Sequence, residues 1–414
     1  MRPCEGFPND EKQKDTPEFL YQVMGFSVDE RSQGILMPLP TPQAAMPEPS
    51  QAPSSAASDL PLPSAPSSEF LRFFGTNDIA NPVLGELVSV AQRRAPRADP
   101  SKNLGKMAPA CAPACAPVGK ALPPRNPLGP PISPETIVSR VGTLASLPNI
   151  YFHVDKAINH PASSTAAIGT ILSYDQALCA RLLRIANSAF YGFSRRVEGI
   201  EDAVRIIGTR QLHDLVLATV VLSHFKGIDS QLVSMKSFWK HSLACSIAAR
   251  SIARLRREPN AERFFVAGLL HDIGSLAMYQ MLPERSQLAL ERHRDGDKPL
   301  EETERAIFGC DHAAVGAALM TSWTLPPFFR DATANHHSAG PRGHTPATAV
   351  IHLADLLVQS LDLGSNGELR LSRICPDAWE QVGLKPGGLE IVADEVLALL
   401  GEVQTLFLGD VKSA

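Results

Sequence analysis

Proline divides this chain into two unequal parts: of its 35 prolines, 24 stand at or before Pro134 and 11 are spread over everything that follows. Proline lacks an amide proton and its ring clashes with the preceding helical turn, so the first part cannot propagate long helices and the second can. Residues 1 to about 130 are also rich in Ser, Ala and Gln and poor in aromatic anchors, a composition whose burial cannot offset its ordering entropy, and they are expected to be disordered. Two islands interrupt them. Thr16 to Phe26 carries Phe19, Leu20, Val23 and Met24 at helical spacing, and Ser67 to Arg93 begins with Phe70, Leu71, Phe73 and Phe74. Each reads as a transient helix or as a short docking segment for a partner, the first reading being favoured.

From Ser133 the pattern is helical. Ser133-Pro134 is a cap followed by proline at the first helical position, and Ile137, Val138, Val141 and Leu144 supply an apolar stripe. Ser163 or Ser164 and Asp175 can cap the next two helices, and Thr209 after Gly208 a longer one. Ser237 to Leu255, Ala261 to Met281, Leu300 to Phe308, His312 to Trp323, Pro326 to His336, Thr345 to Leu361 and Leu389 to Leu408 all carry a period near 3.6, with no strand-like alternation to compete. The expected fold is an all-α bundle of irregular helices over 133–360, followed by an extension, 361–414, with an irregular segment from Gly364 to Gly388 and a last amphipathic helix. That helix is expected to pack on the bundle, with self-association as the other use of its apolar face.

A net charge of −4 on 414 residues gives no electrostatic footprint for general nucleic-acid or membrane-surface binding. The N-terminus has no apolar signal core, and no stretch is apolar for long enough to span a bilayer; a cytoplasmic, reduced protein is the default. The only close cysteine pair, Cys111 and Cys115, has no companion ligands for a zinc knuckle. A helix-turn-helix reader across Ile168 to Ala189, with Arg181 and Arg184 exposed, would fit in outline, but Leu178, Leu182, Leu183, Ile185 and Ala186 make the second helix too apolar to read bases.

Candidate chemistry centres on His271-Asp272, placed by periodicity inside the helix Ala261 to Met281. Neighbouring helical residues point about 100° apart, so the two cannot face one another but can both reach an ion at the helix shoulder. Further ligands must come from other segments: His241, His312, the tandem His336-His337 and Asp355. Each has a plainer reading, His241 as a donor to a backbone carbonyl, His271 and Asp272 as a satisfied buried pair, His312 as the start of a helix capped by Asp311, and His336-His337 as a solvated helix end. His213-Asp214 is a second His-Asp pair without companions and is assigned no metal role.

The order His, His-Asp, His, His-His, Asp resembles the HD superfamily of metal-dependent phosphohydrolases. The flanking residues resemble one branch of it, the HDOD domain, a bacterial signalling output module. The likeness runs through Ser173 to Leu178, Leu182 to Phe190, Ile200 to Gly208, Trp239 with His241-Ser242, Ala267 to Gly274, Phe308-Gly309 with His312 and Gly316, Trp323 with Leu325-Pro326, and His336-His337. It implies a ligand set of His241, His271, Asp272 and Asp355, extended by His312 with His336 or His337, for a divalent iron, manganese or zinc ion. It also implies a regulatory protein that acts by binding protein partners rather than by turnover. The alternative is a phosphohydrolase acting on a nucleotide or cyclic dinucleotide. Against turnover, the cyclic-dinucleotide-cleaving HD-GYP pattern has lysine where Ser275 stands, Glu where Ser338 stands, and a Gly-Tyr-Pro that is missing from Ala339 to Pro346.

Overall fold

The computed structural model describes residues 82–94, 129–142, 147–161, 163–193, 195–225, 232–337 and 345–408. The islands at Thr16 to Phe26 and at Phe70 to Phe74, the pair Cys111 and Cys115, Ser338, and most of Ala339 to Pro346 lie outside them. Among the described residues every regular element is a helix. The first part comprises α1 (Pro82–Arg94), α2 (Pro134–Arg140), α3 (Asn149–Asn159), α4 (Thr165–Ser173), α5 (Gln176–Ala186), α6 (Ile200–Ile207) and α7 (Thr209–His224). The second comprises α8 (Met235–Leu255), α9 (Ala261–Leu270), α10 (Ile273–Met281), α11 (Pro283–Asp295), α12 (Leu300–Phe308), α13 (His312–Ser322), α14 (Pro327–Asn335), α15 (Pro346–Ser360), α16 (Pro376–Val382) and α17 (Gly388–Leu408).

Capping side chains start many of these helices. Ser133, Ser164, Asp175 and Asp311 accept from the amides of Thr136, Ala167, Leu178 and Ala314, satisfying donors that a helix N-terminus leaves free. The helix after Gly208 differs from expectation. Gly208 itself is the cap, at φ 91°, ending α6 and opening α7, so Thr209 is already inside the helix.

The central element is α8, buried along most of its length and packed against α9, α15 and α17. Val392, Ala393, Val396, Leu400, Val403 and Phe407 of α17 are buried, so the last helix packs on the bundle. So does α1. Its Val83, Leu84, Leu87 and Val90 are buried and it lies against α15 and α17, so this part of the proline-rich region is an ordered, docked helix. Its single proline stands at the first helical position, where it costs no hydrogen bond.

The two parts are joined at Arg250, which is fully buried on α8. Its guanidinium donates to Glu262 Oε1 (2.6 Å) and from both terminal nitrogens to the Phe190 carbonyl (3.2 Å each), while Glu262 Oε2 accepts from Tyr191 (2.8 Å). The planar fork, stacked 3.7 Å from the Phe190 ring centroid, ties the end of α5's loop to α8 and α9.

Asp214 of the second His-Asp pair is buried and accepts from Asn260, and its pKa is pushed up to about 6 by burial, against the pull of Asn260 and Arg263. A folded-state pKa above the unfolded value means the folded protein holds this proton more tightly. The stability it confers is therefore full below about pH 4 and is lost as pH rises through 6. Asp214→Asn is expected to stabilise the protein by about 1–3 kcal/mol at pH 7 and by almost nothing at pH 4, read from urea unfolding at both. Equal stability of parent and variant at pH 7 would contradict this.

Candidate metal centre

His271 and Asp272 sit where the chain stops being one helix. The periodic stretch from Ala261 to Met281 is broken between α9 and α10, with His271 ending one and Asp272, at φ −100° and ψ 9°, opening the other. The break overturns the expectation that the pair points apart: His271 Nε2 lies 3.0 Å from Asp272 Oδ2. Two glycines make the site possible. A Cβ on Gly268 would lie 2.7 Å from the Cys245 carbonyl oxygen, and one on Gly274 would meet the His312 carbonyl oxygen and, at 2.5 Å, the Gly316 amide. Only glycine lets α9 lie this close to α8, and α10 this close to α13.

All seven residues named from the sequence come together. They form two clusters joined by Asp272. In the first, His241 Nε2 is 3.2 Å from Asp355 Oδ1 and 3.4 Å from Asp272 Oδ2, and His271 Nε2 is 3.7 Å from Asp355 Oδ1. In the second, His312 Nε2 and His336 Nε2 are each 3.5 Å from Asp272 Oδ1, and His312 Nε2 is 2.8 Å from His337 Nε2. Cys245 completes a set of four possible ligand atoms in the first cluster; Asp272, His312, His336 and His337 form the second set.

The imidazoles are oriented as metal ligands are. His271 Nδ1 donates to the Gly268 carbonyl (2.8 Å), His336 Nδ1 to the Thr333 carbonyl (2.7 Å) and His312 Nδ1 to Glu304 Oε2 (2.6 Å). Each bond fixes the ring and turns Nε2 inward. Three inward atoms, His271 Nε2, His336 Nε2 and Asp272 Oδ1, are buried without a hydrogen-bond partner. Orphaned polar atoms converging in a buried interior are costly unless something else binds them, and an ion between them meets that need. The residues present therefore fit a divalent metal.

Charge points the same way. Burial alone would raise the Asp272 and Asp355 carboxyls, yet the facing imidazoles hold both well below the usual carboxylate range. Burial and the neighbouring rings of His336 and His312 hold His337 neutral, its pKa well below the ordinary value. Ionised carboxylates and neutral imidazoles are the ligating forms. His241, His271 and His312 are the exceptions: burial would lower all three, but Cys245, Asp272 and Asp355 beside the first two hold those well above the usual imidazole range. Glu304 raises His312 to about 10, so metal must displace a proton at each of the three rings.

The sequence reading missed the closing layer. Beyond α15, Asn366 Nδ2 donates to Asp272 Oδ2 (2.8 Å) and Ser372 Oγ meets His337 Nδ1 (3.2 Å), while Gln359, in the last turn of α15, donates to Asp355 Oδ2 (2.9 Å) and to Glu368 Oε2 (2.6 Å). Tyr279 holds this segment through the Asn366 carbonyl (2.7 Å). Gly367, at φ 115°, passes where any side chain would strike Tyr279 and Leu290. A run of small and polar residues without periodicity carries no signal of where it docks; the glycines at 364 and 367 mark tight backbone and nothing more. Glu304 and Cys245 were equally hidden, one in an ordinary amphipathic helix and the other inside an apolar one.

The plainer readings also find their places. Asp311 caps α13 while His312 serves as a candidate ligand, so the two roles coexist. His336 and His337 are buried, which excludes the solvated helix end. His213 Nε2 lies 3.1 Å from Asp155, and Asp214 bonds Asn260, remote in kind from the ligand clusters. Leu178, Leu182, Ile185 and Ala186 of α5 are buried, so this helix presents core rather than a base-reading face.

A closed helical bundle around a His/Asp core of this order defines an HD-superfamily-related protein. The family model of the HDOD domain matches residues 144–339, just under half of the chain, and supports an HDOD, HD-superfamily-related protein. An HDOD domain protein of unknown function from Geobacter sulfurreducens is 25% identical and superposes with a TM-score of 0.52 over 65% of this chain and 99% of its own. A protein of Shewanella amazonensis provisionally described as a phosphohydrolase is 23% identical, with a TM-score of 0.53 over 66% of this chain and 97% of its own, and shares the fold. An uncharacterized protein of Treponema pallidum is 24% identical over 230 residues, which are 55% of this chain and 44% of that one. The chain thus spans less than half the length of that curated relative. Among the described residues no helix is long and apolar enough to cross a membrane.

Proposed function

We propose that this protein is a cytoplasmic signalling output protein whose HDOD domain acts by binding protein partners, with a divalent metal retained at its buried centre as a structural element. The carrying observation is closure. His241, His271, Asp272, His312, His336 and Asp355 are at most 1% exposed; Asn366 bonds Asp272 and Gln359 bonds Asp355, while Glu368 backs Gln359 and Ser372 meets His337. A bound ion in such a set would supply Lewis-acid character and activate water only if one coordination position stayed open to substrate. Here the protein's own groups occupy the approach. Ser275, buried in α10, offers no cation to a substrate phosphate.

Metal-dependent hydrolysis of a nucleotide or cyclic dinucleotide is the competing reading, and it requires the 363–375 segment to leave the site. Elemental analysis of anaerobically purified protein, followed by incubation with nucleotides and cyclic dinucleotides, separates the two. Bound metal without turnover is the expected result. Hydrolysis that disappears in Asp272→Ala would replace the proposal with the enzymatic reading, and protein purified without metal would remove the ion from it.

A further inference from the structure

The first ligand cluster contains an atom outside the His/Asp pattern, the thiol sulfur of Cys245. We infer that Cys245 binds the ion of the first position as a thiolate, making it a His241/His271/Asp355/Cys245 site of the zinc or iron(II) class; this rests on the metal-centre reading above.

Cys245 stands four residues after His241 on α8, so the two side chains share one face a helical turn apart. The sulfur lies 3.6 Å from His241 Nε2 and 3.9 Å from Asp355 Oδ1. With bonds of about 2.3 Å to sulfur and about 2.0–2.1 Å to nitrogen or oxygen, a tetrahedral ion separates its sulfur from the other ligands by roughly 3.6 Å and those ligands from one another by roughly 3.3 Å. The His241–Asp355 and His271–Asp355 separations are 3.2 and 3.7 Å, so these four separations lie within about 0.4 Å of that geometry.

The thiol has no better use for its position. One S–H proton cannot serve His241 and Asp355 together, and both contacts are long. The sulfur cannot drift, because Gly268 brings α9 onto the Cys245 backbone and the residue is fully buried. Charge balances as well: a thiolate and the Asp355 carboxylate neutralise a divalent ion at a buried position, with the thiol proton released to bulk solvent on binding. Soft thiolate selects zinc or iron(II) over manganese and magnesium.

The test uses the full chain, stripped with chelator and reloaded anaerobically with cobalt(II). A near-ultraviolet sulfur-to-cobalt charge-transfer band is expected beside the visible d–d bands. It should survive in Cys111→Ser/Cys115→Ser and vanish in Cys245→Ser, which keeps its d–d bands. Cobalt retained with d–d bands but no charge-transfer band, or a band that persists in Cys245→Ser, overturns thiolate ligation and leaves the metal centre standing. A parent protein that retains no cobalt overturns both. Should Cys245→Ser not fold, X-ray absorption at the cobalt edge of Cys111→Ser/Cys115→Ser decides: a sulfur scatterer is expected, and nitrogen and oxygen scatterers alone overturn the inference.

Discussion

Asp272→Ala is expected to strip metal from both ligand clusters at once. Its carboxylate faces both, with Oδ2 turned to His241 and His271 and Oδ1 to His312 and His336. The substitution also leaves Asn366 Nδ2 without its acceptor and removes the charge that offsets several buried imidazoles. Breaking a buried charged network from one side typically costs about 3–5 kcal/mol. Elemental analysis should find metal reduced to background, and urea unfolding should find the stability loss. A variant that keeps the parent's metal content would show that Asp272 does not join the two clusters.

Gly274→Ala tests the backbone that carries the same carboxylate. The added methyl would meet the His312 carbonyl and the Gly316 amide, both main-chain groups inside a packed helix that cannot turn aside. α10 and α13 must separate, and Asp272 at the head of one then moves away from His312 at the head of the other. Overpacking of this kind costs about 1–3 kcal/mol where side chains can yield and more where backbone must. Unfolding is expected to show about 3 kcal/mol or more, with metal content lowered as well. Stability within about 0.5 kcal/mol of the parent, the range of neutral surface changes, would refute the close approach.

Much of the fold was legible because its signals are local. Ser133, Ser164, Asp175 and Asp311 announce helix starts by a bond to an amide three residues on, a relation written in the sequence itself. The candidate ligands were legible for another reason: histidine and aspartate on otherwise apolar helices are costly without a shared partner, and their order along the chain matched a known one. Their geometry was not. Periodicity ran smoothly across Ala261 to Met281, so the break at Asp272 could not be seen, and with it the 3.0 Å approach of His271 to Asp272.

The docking of distant segments was equally invisible. Pro82–Arg94 lies in a stretch whose composition opposes folding, yet four apolar residues on one face suffice once α15 and α17 present a surface. Asn366, Glu368 and Ser372 have no pattern of their own; they matter because Tyr279 and two tight glycines hold their segment over the ligands. By itself the sequence determined the helical class, the helix starts and which imidazoles and carboxylates needed company, since each follows from propensity or from the cost of a buried polar group. Only the tertiary structure decided that Asp272 is shared by two clusters, that Cys245 stands beside the first, and that residues beyond 360 close the centre, because those relations depend on contacts between segments that local periodicity does not record.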